Sequence, residues 1–393
     1  MAGLYLHIPF CKSRCVYCGF YSTTLHPMRS RYVDALCREM ELRAASGNSL
    51  TPYANISTIY LGGGTPSQLN ERELKKIFDS IYNIYKVEKD AEITIECNPD
   101  DISAEYAALL SRLPVNRVSM GAQTFSDERL RFLHRRHTAI QVDQAVGMLR
   151  EAGFKNISID LMFGFPGETI DDWRRDIDHA LLLDVEHISA YSLMYEEGTP
   201  LYALKDQGIS EDLSLAMYHL LIDRLTSADY EHYEISNFAK MLPSVSDSLP
   251  PMPHSFRSRH NSSYWQGIPY IGIGAAAHSY DIDTRHWNVS DVRKYIQLIE
   301  SGKLPTDETE ILSVSEKYDD MVTTALRTRE GINLEAVSRM FGPDYYNFIL
   351  KNAQPHLSSH LLAMTDDQHL KLTRDGLFVS DSIMSDLMYV YFF

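Results

Sequence analysis

Three thiols crowd into Cys11-Lys-Ser-Arg-Cys15-Val-Tyr-Cys18, directly after the apolar run Leu4–Phe10. The C-x3-C-x2-C spacing lets one short loop wrap three corners of an iron–sulfur cube, whose irons favour thiolate ligands. No fourth cysteine lies nearby in the chain; Cys37 and Cys97 stand alone and read as plain thiols. Three ligands leave one iron open, which a catalytic or substrate-binding cluster requires and a simple electron carrier does not. Zinc is the bland rival, but it wants a closed tetrahedral shell, and His7 is the nearby candidate for a fourth ligand. In a reducing compartment such a group of cysteines does metal or redox work rather than forming disulfides.

Further polar residues recur beyond short apolar runs. Gly62-Gly63-Gly64-Thr65-Pro66 follows one run, Glu96 closes another, Gln123 follows a third and Asp160 lies in a fourth. Glycines let backbone approach a ligand closely. Each of these residues alone is as readily structural; their joint recurrence downstream of a thiol triad is what links them.

The elements that must position them alternate. Strands are predicted at Leu4–Ile8, Thr58–Leu61, Ile93–Glu96, Arg117–Met120, Ser158–Met162 and His187–Leu193. Helices are predicted near Arg31–Ala44, Glu71–Tyr85, Ala104–Leu113, Asp127–Leu133, Ala139–Ala152, Asp171–Leu183 and Ser214–Ala228. Six strand–helix repeats imply a parallel sheet with right-handed crossovers. A barrel or partial barrel fits better than an open sheet, because polar residues gather at the C-terminal ends of several strands. Beyond the seventh helix the pattern changes. Met241–Phe256 is rich in Pro and Ser and reads as a flexible excursion, Ile268–Ala277 carries closely spaced glycines, and from Ser315 the pattern is mainly helical, with a short strand pair around Leu370–Val379. The expected units are residues 1–228, 229–314 and 315–393.

The thiol loop, the GGGTP run, Thr94-Ile-Glu-Cys-Asn-Pro99, Ser119-Met-Gly-Ala-Gln-Thr-Phe125, Leu133-His-Arg-Arg-His137 and Ile159-Asp-Leu-Met-Phe-Gly-Phe-Pro-Gly-Glu168 together resemble the radical S-adenosylmethionine (SAM) coproporphyrinogen dehydrogenase superfamily. The resemblance covers nearly the whole chain. It implies an α/β fold: a partial (βα)6 barrel with a smaller C-terminal α+β, partly winged-helix-like domain. It also implies a [4Fe–4S] cluster on Cys11, Cys15 and Cys18, with SAM on the open iron. By position, Tyr5, Gly63, Gly64, Thr65, Glu96, Gln123, Arg135 and Asp160 are the implied SAM contacts, with Phe20 as an addition just past the loop.

Two branches of that superfamily divide here. The dehydrogenase (HemN type) decarboxylates coproporphyrinogen III, carries an N-terminal extension, and has a cysteine two residues beyond the third ligand. This chain has Phe20 there, and its first strand begins almost at Met1. The other branch, the heme chaperones, is marked by H-N-x-x-Y-W, matched by His260-Asn-Ser-Ser-Tyr-Trp265. That branch implies binding of heme and its delivery to heme-requiring client proteins. A neutral imidazole is a good axial ligand to heme iron, and aromatic neighbours can cover a porphyrin face. His260, with Tyr264 and Trp265, is the first candidate ligand and His278 the second. Arg257 and Arg259 could pair with heme propionates. The expected protein is thus a heme chaperone, with oxygen-independent coproporphyrinogen III dehydrogenase as the alternative and a radical SAM methyltransferase behind it.

Composition narrows the partners. Net charge is −16, from 37 Lys+Arg against 53 Asp+Glu, which disfavours non-specific binding to nucleic acid. No window of about twenty apolar residues offers a membrane span, and Leu4–Phe10 runs into Cys11 rather than into a signal-peptide cleavage site. The expected location is cytoplasmic, with peripheral membrane contact left open. Respiratory enzymes are among the candidate clients and a homodimer among the candidate assemblies.

Overall fold

The computed structural model describes residues 1–46, 55–241 and 255–389. Most of the Pro/Ser-rich run, and the last four residues of the aromatic C-terminus, therefore lie outside the described residues.

Strands and helices alternate through the first half: β1 (Ala2–Ile8), α1 (Arg29–Ala45), β2 (Asn55–Gly63), α2 (Glu71–Ile84), β3 (Lys86–Cys97), α3 (Ala104–Ser111), β4 (Arg117–Gln123), α4 (Asp127–Phe132), α5 (Ala139–Glu151), β5 (Ile157–Phe163), α6 (Ile170–Leu182), β6 (His187–Ser192) and α7 (Glu211–Thr226). Short polar residues start the helices. Asn70, Ser103, Ser126, Thr169 and Ser210 each accept a hydrogen bond from a first-turn backbone N–H. Every neighbouring pair from β1 to β6 is parallel. Side chains alternate with period two. Leu4, Leu6, Ile8, Ile59, Leu61, Ile95, Val118, Met120, Ile159 and Ile188 are buried under the helices. Their neighbours Tyr5, His7, Tyr60, Thr94, Glu96, Arg117, Ser119, Asp160 and Ser189 turn to the inner face.

The sheet does not stop at six strands. It continues with β7 (Tyr230–Glu234), β8 (Asn237–Lys240), β9 (Tyr270–Ile273), β10 (His278–Tyr280), β11 (Thr284–Asn288) and β12 (Thr306–Ile311), with α8 (Arg259–Trp265) and α9 (Val292–Glu300) between them. The full order is β12-β11-β10-β9-β1-β2-β3-β4-β5-β6-β8-β7. β9 pairs parallel with β1, Gly3 opposite Tyr270 and Leu6 opposite Ile273, so the first strand is interior to the sheet. These added strands escape sequence periodicity because they are short and take their conformation from pairing with one another and with β1 and β6.

The C-terminal unit is α10 (Val314–Arg327), β13 (Ile332–Asn333), α11 (Leu334–Phe341), α12 (Pro343–Ser358), β14 (Leu362–Met364), β15 (His369–Leu372), α13 (Arg374–Phe378) and α14 (Ser380–Leu387). It has its own core around Tyr318, Val322, Leu326, Ile349, Leu370 and Leu387. The expected strand pair lies earlier than predicted, and residues 374–378 are helical because Thr373 caps them, accepting from Gly376 N. The architecture is thus a partial (βα)6 barrel, extended at both edges, with a smaller winged-helix-like α+β domain. α10 ties the two edges together. Arg327 pairs with Glu234 at 2.6 Å beside β7, and Arg285 and Lys317 pair with Asp320 and Asp283 at 3.3 and 2.5 Å beside β10 and β11. Among the described residues no helix is long and apolar enough to cross a membrane.

Candidate cluster and cofactor site

The thiol loop leaves the C-terminal end of β1 and is held by backbone bonds to three separate segments. Cys11 N donates to Thr23 O (2.9 Å), Val16 N to Leu133 O (3.3 Å), and Leu201 N to Val16 O (3.0 Å). Cys11, Cys15 and Cys18 are free and half-buried, whereas Cys37 and Cys97 are buried. Cys37 sits within α1 with its thiol on Lys76 O, and Cys97 lies on the opposite face of β3 from Glu96. Neither can supply a fourth ligand. His7 cannot either, because its ring nitrogens bond Tyr5 Oη and Tyr21 O, both at 3.0 Å. Burial pushes the Cys11 and Cys18 thiols up, and Thr65 Oγ1 donates to Cys11 Sγ at 3.3 Å. The Arg135 guanidinium reaches Cys15 Sγ at 3.7 Å and is fixed by Gly121 O and Asn98 Oδ1 at 2.7 and 2.9 Å. Its buried Nε has no hydrogen-bond partner among the described residues. The loop therefore sets its thiols beside a cation that matches anionic sulfur.

The glycine run lines the next strand end. A Cβ at Gly62 would meet the Tyr60 ring at 2.7 Å and Glu96 Oε1 at 3.0 Å, so the missing side chain is what lets those two groups meet. They bond: Tyr60 Oη donates to Glu96 Oε1 at 2.8 Å, and Gly63 N donates to Glu96 Oε2 at 3.1 Å. Burial pushes the Glu96 carboxyl up to about 7, and the Asp160 carboxyl also rises through burial. Gln123 ends β4 with φ of 68°, a left-handed backbone uncommon outside glycine. Tyr5 is half-buried one strand from Tyr60, at 6.2 Å between rings, while Phe20 is 72% exposed and stands on the rim. The structure thus places Gly63, Gly64, Thr65, Glu96 and Gln123 at or just past strand ends, Arg135 on the loop after α4 against Cys15, and Tyr5 and Asp160 midway along the inner faces of β1 and β5.

Sequence reasoning missed the buried layer beneath. Arg117 is 2% exposed on the inner face of β4, and its charge acts on Glu96, Asp160, His187 and His260. His187 bonds Ser158 Oγ at 2.7 Å and Tyr233 Oη at 2.8 Å. The available signal was strand parity: Arg117 shares its face with Ser119, Gly121 and Gln123.

His260 belongs to this layer. It is 1% exposed, with Nδ1 on Thr58 Oγ1 (2.8 Å) and Nε2 on Tyr264 Oη (2.7 Å). Its ring lies 5.0 Å from Tyr60 and 6.5 Å from Tyr5, and burial holds it near a pKa of about 3. The Glu92 carboxylate accepts from Arg259 N (3.0 Å) and His260 N (2.9 Å), seating α8 against the middle of β3. In this arrangement no lone pair of His260 is open to an iron. Arg257 is likewise committed, to Glu231 at 2.6 Å and Glu330 at 2.9 Å, and Arg259 reaches Asp90 O.

Residues 5–180 match the radical SAM superfamily. The heme chaperone HemW of Bacillus subtilis is 36% identical over 87% of this chain and 87% of its own. The heme chaperone HemW of Lactococcus lactis is 31% identical over 98% and 96%. The bovine mitochondrial radical S-adenosyl methionine domain-containing protein 1 is 28% identical over 98% and 87%. Among solved structures, the Escherichia coli coproporphyrinogen III oxidase HemN, a radical SAM enzyme, superposes with a TM-score of 0.82 at 22% identity, over 99% of this chain and 90% of that one, a likeness of fold. With its thiol loop, glycine run and barrel in place, the chain belongs to the radical SAM superfamily and, within it, to the HemW family.

Proposed function

We propose that this protein is a heme carrier on a radical SAM scaffold, which binds a [4Fe–4S] cluster, SAM and heme and passes heme to heme-requiring proteins. The observation that carries the reading is the 36% identity to the Bacillus subtilis heme chaperone over most of both chains. The residues present fit the resident groups. Three half-buried thiols on one loop, with Cys37 and Cys97 buried elsewhere and both His7 nitrogens bonded, suit a cluster with one open iron rather than a closed zinc shell. Such a cluster supplies an electron and a coordination site for SAM. Around it, Glu96 and Asp160 offer carboxylates to an ammonium, Arg135 offers a guanidinium to a carboxylate, and Gly63, Gly64 and Thr65 bring backbone and a hydroxyl close. Tyr5 and Gln123 complete the contact set, with Phe20 at its rim.

The test uses anaerobically reconstituted protein. One portion is titrated with heme and then mixed with an apo-heme protein; another is incubated with SAM, reductant and coproporphyrinogen III. Stoichiometric heme binding and transfer without decarboxylation is the expected result. Turnover of coproporphyrinogen with no heme transfer would make the protein a dehydrogenase.

A further inference from the structure

Resting on the heme reading, we infer that His278, and not His260, is the side chain that ligates heme iron, at a site on the β10–β11 hairpin. An axial ligand needs a lone pair on an imidazole that a flat macrocycle can reach. Between residues 229 and 314 the described histidines are His232, His260, His278 and His286. His260 has both nitrogens bonded. His286 accepts from the Arg43 guanidinium at 3.1 Å, because arginine can only donate. His232 bonds the backbone of Ile235 and Glu234, with its ring stacked on Phe238 at 4.2 Å. His278 alone of the four is exposed, and its ring has no hydrogen-bond partner among the described residues.

Its surroundings suit a porphyrin. In the antiparallel hairpin His278 pairs with Trp287 and Tyr280 with Arg285, so these four share one face, while Ser279 and His286 share the other. The Trp287 ring stacks on His278 at 5.6 Å and 25°, which fixes the orientation of the imidazole. Tyr280 is 6.2 Å from Tyr270, and Tyr270 is 4.6 Å from Tyr264, so an aromatic row runs from His278 and Trp287 back to α8. Partial burial and the Arg285 charge hold the His278 ring below its ordinary pKa, in the neutral form that binds metal. The HNxxYW helix then acts indirectly. Tyr264 supports the aromatic row, and His260 seals the barrel beneath Tyr5 and Tyr60.

The test is an anaerobic heme titration of the full chain with its cluster in place. It is followed by absorption and resonance Raman spectroscopy for wild type, His278→Ala and His260→Ala. Wild type should bind heme with a histidine-ligand signature. His278→Ala, at an exposed position that leaves the melting temperature unchanged, should bind at least about tenfold more weakly and recover the signature on addition of free imidazole. His260→Ala should melt earlier yet keep the signature. Wild-type affinity and signature in His278→Ala would overturn the ligand assignment while leaving the carrier reading intact. Failure of the wild type to bind heme would overturn the carrier reading, and the ligand with it.

Discussion

At the scale of single residues, the best-defined chemical group beside the thiol loop is Glu96. Its carboxylate holds Tyr60 Oη and Gly63 N, and burial raises it to about 7. A ligand ammonium favours the ionised form, so SAM affinity should rise from about pH 6 to about pH 8 as Glu96 loses its proton. Glu96→Gln should bind SAM roughly tenfold or more weakly, the worth of a hydrogen bond to a charged group, and should lose that pH dependence. Isothermal titration across the range checks both, and a Gln variant with an unchanged profile would remove Glu96 from the contact set. The thiols and strand-end residues were legible in sequence because spacing and parity carry them. Arg117 was not, because a charge at the start of a strand reads as a solvent-facing flank until the opposing strands enclose it. Nor was the state of His260: its motif gave the residue type, but only the fold shows Thr58 and Tyr264 taking its two nitrogens.

At the scale of elements, α8 is a seven-residue helix seated by a carboxylate from another strand. A helix this short has little stability of its own, so Glu92 and the packing of His260 must fix it. Glu92→Ala removes the acceptor of two buried backbone N–H groups, a cost of about 1–3 kcal/mol. For a chain of this size that should lower the melting temperature by several degrees, on the order of 2–4 °C per kcal/mol. Calorimetry checks this, and an unmoved melting temperature would show that α8 is held without Glu92. The strand–helix alternation to residue 228 was readable because the strands carry apolar residues at alternate positions and the helices carry caps. The hairpin β10–β11 was not, since its three and five residues find their register only by pairing with one another and with β9.

At the scale of the molecule, the interior is rich in neutral histidine. Burial lowers His7 and His286 to about 4, His137 and His260 to about 3, and His187 well below its ordinary value. Below pH 6.5 the unfolded chain takes up protons at these rings and the folded chain does not, so their contribution to stability falls as pH drops from about 6.5 towards about 4. Glu96 and Glu168, raised to about 7, act in the opposite sense, binding protons in the folded state first. Asp100, Asp160, Asp176, Asp319 and Asp320, also raised by burial, act with the two glutamates; the buried histidines act against them, and the expectation is acid lability across that window, flattened in part by His260→Ala. Melting curves between pH 7 and 4 check it; a melting temperature that rises on acidification would contradict it.

The pairing of β1 with both β2 and β9 has a consequence for how the chain is made. The strand that leads into the thiol loop is made well before β9, and one of its edges waits until Tyr270 is synthesised. Such distant pairing is slow to close. Until then that edge of β1 lacks its partner strand. Fragments that end before β9 keep that edge unpaired and should aggregate.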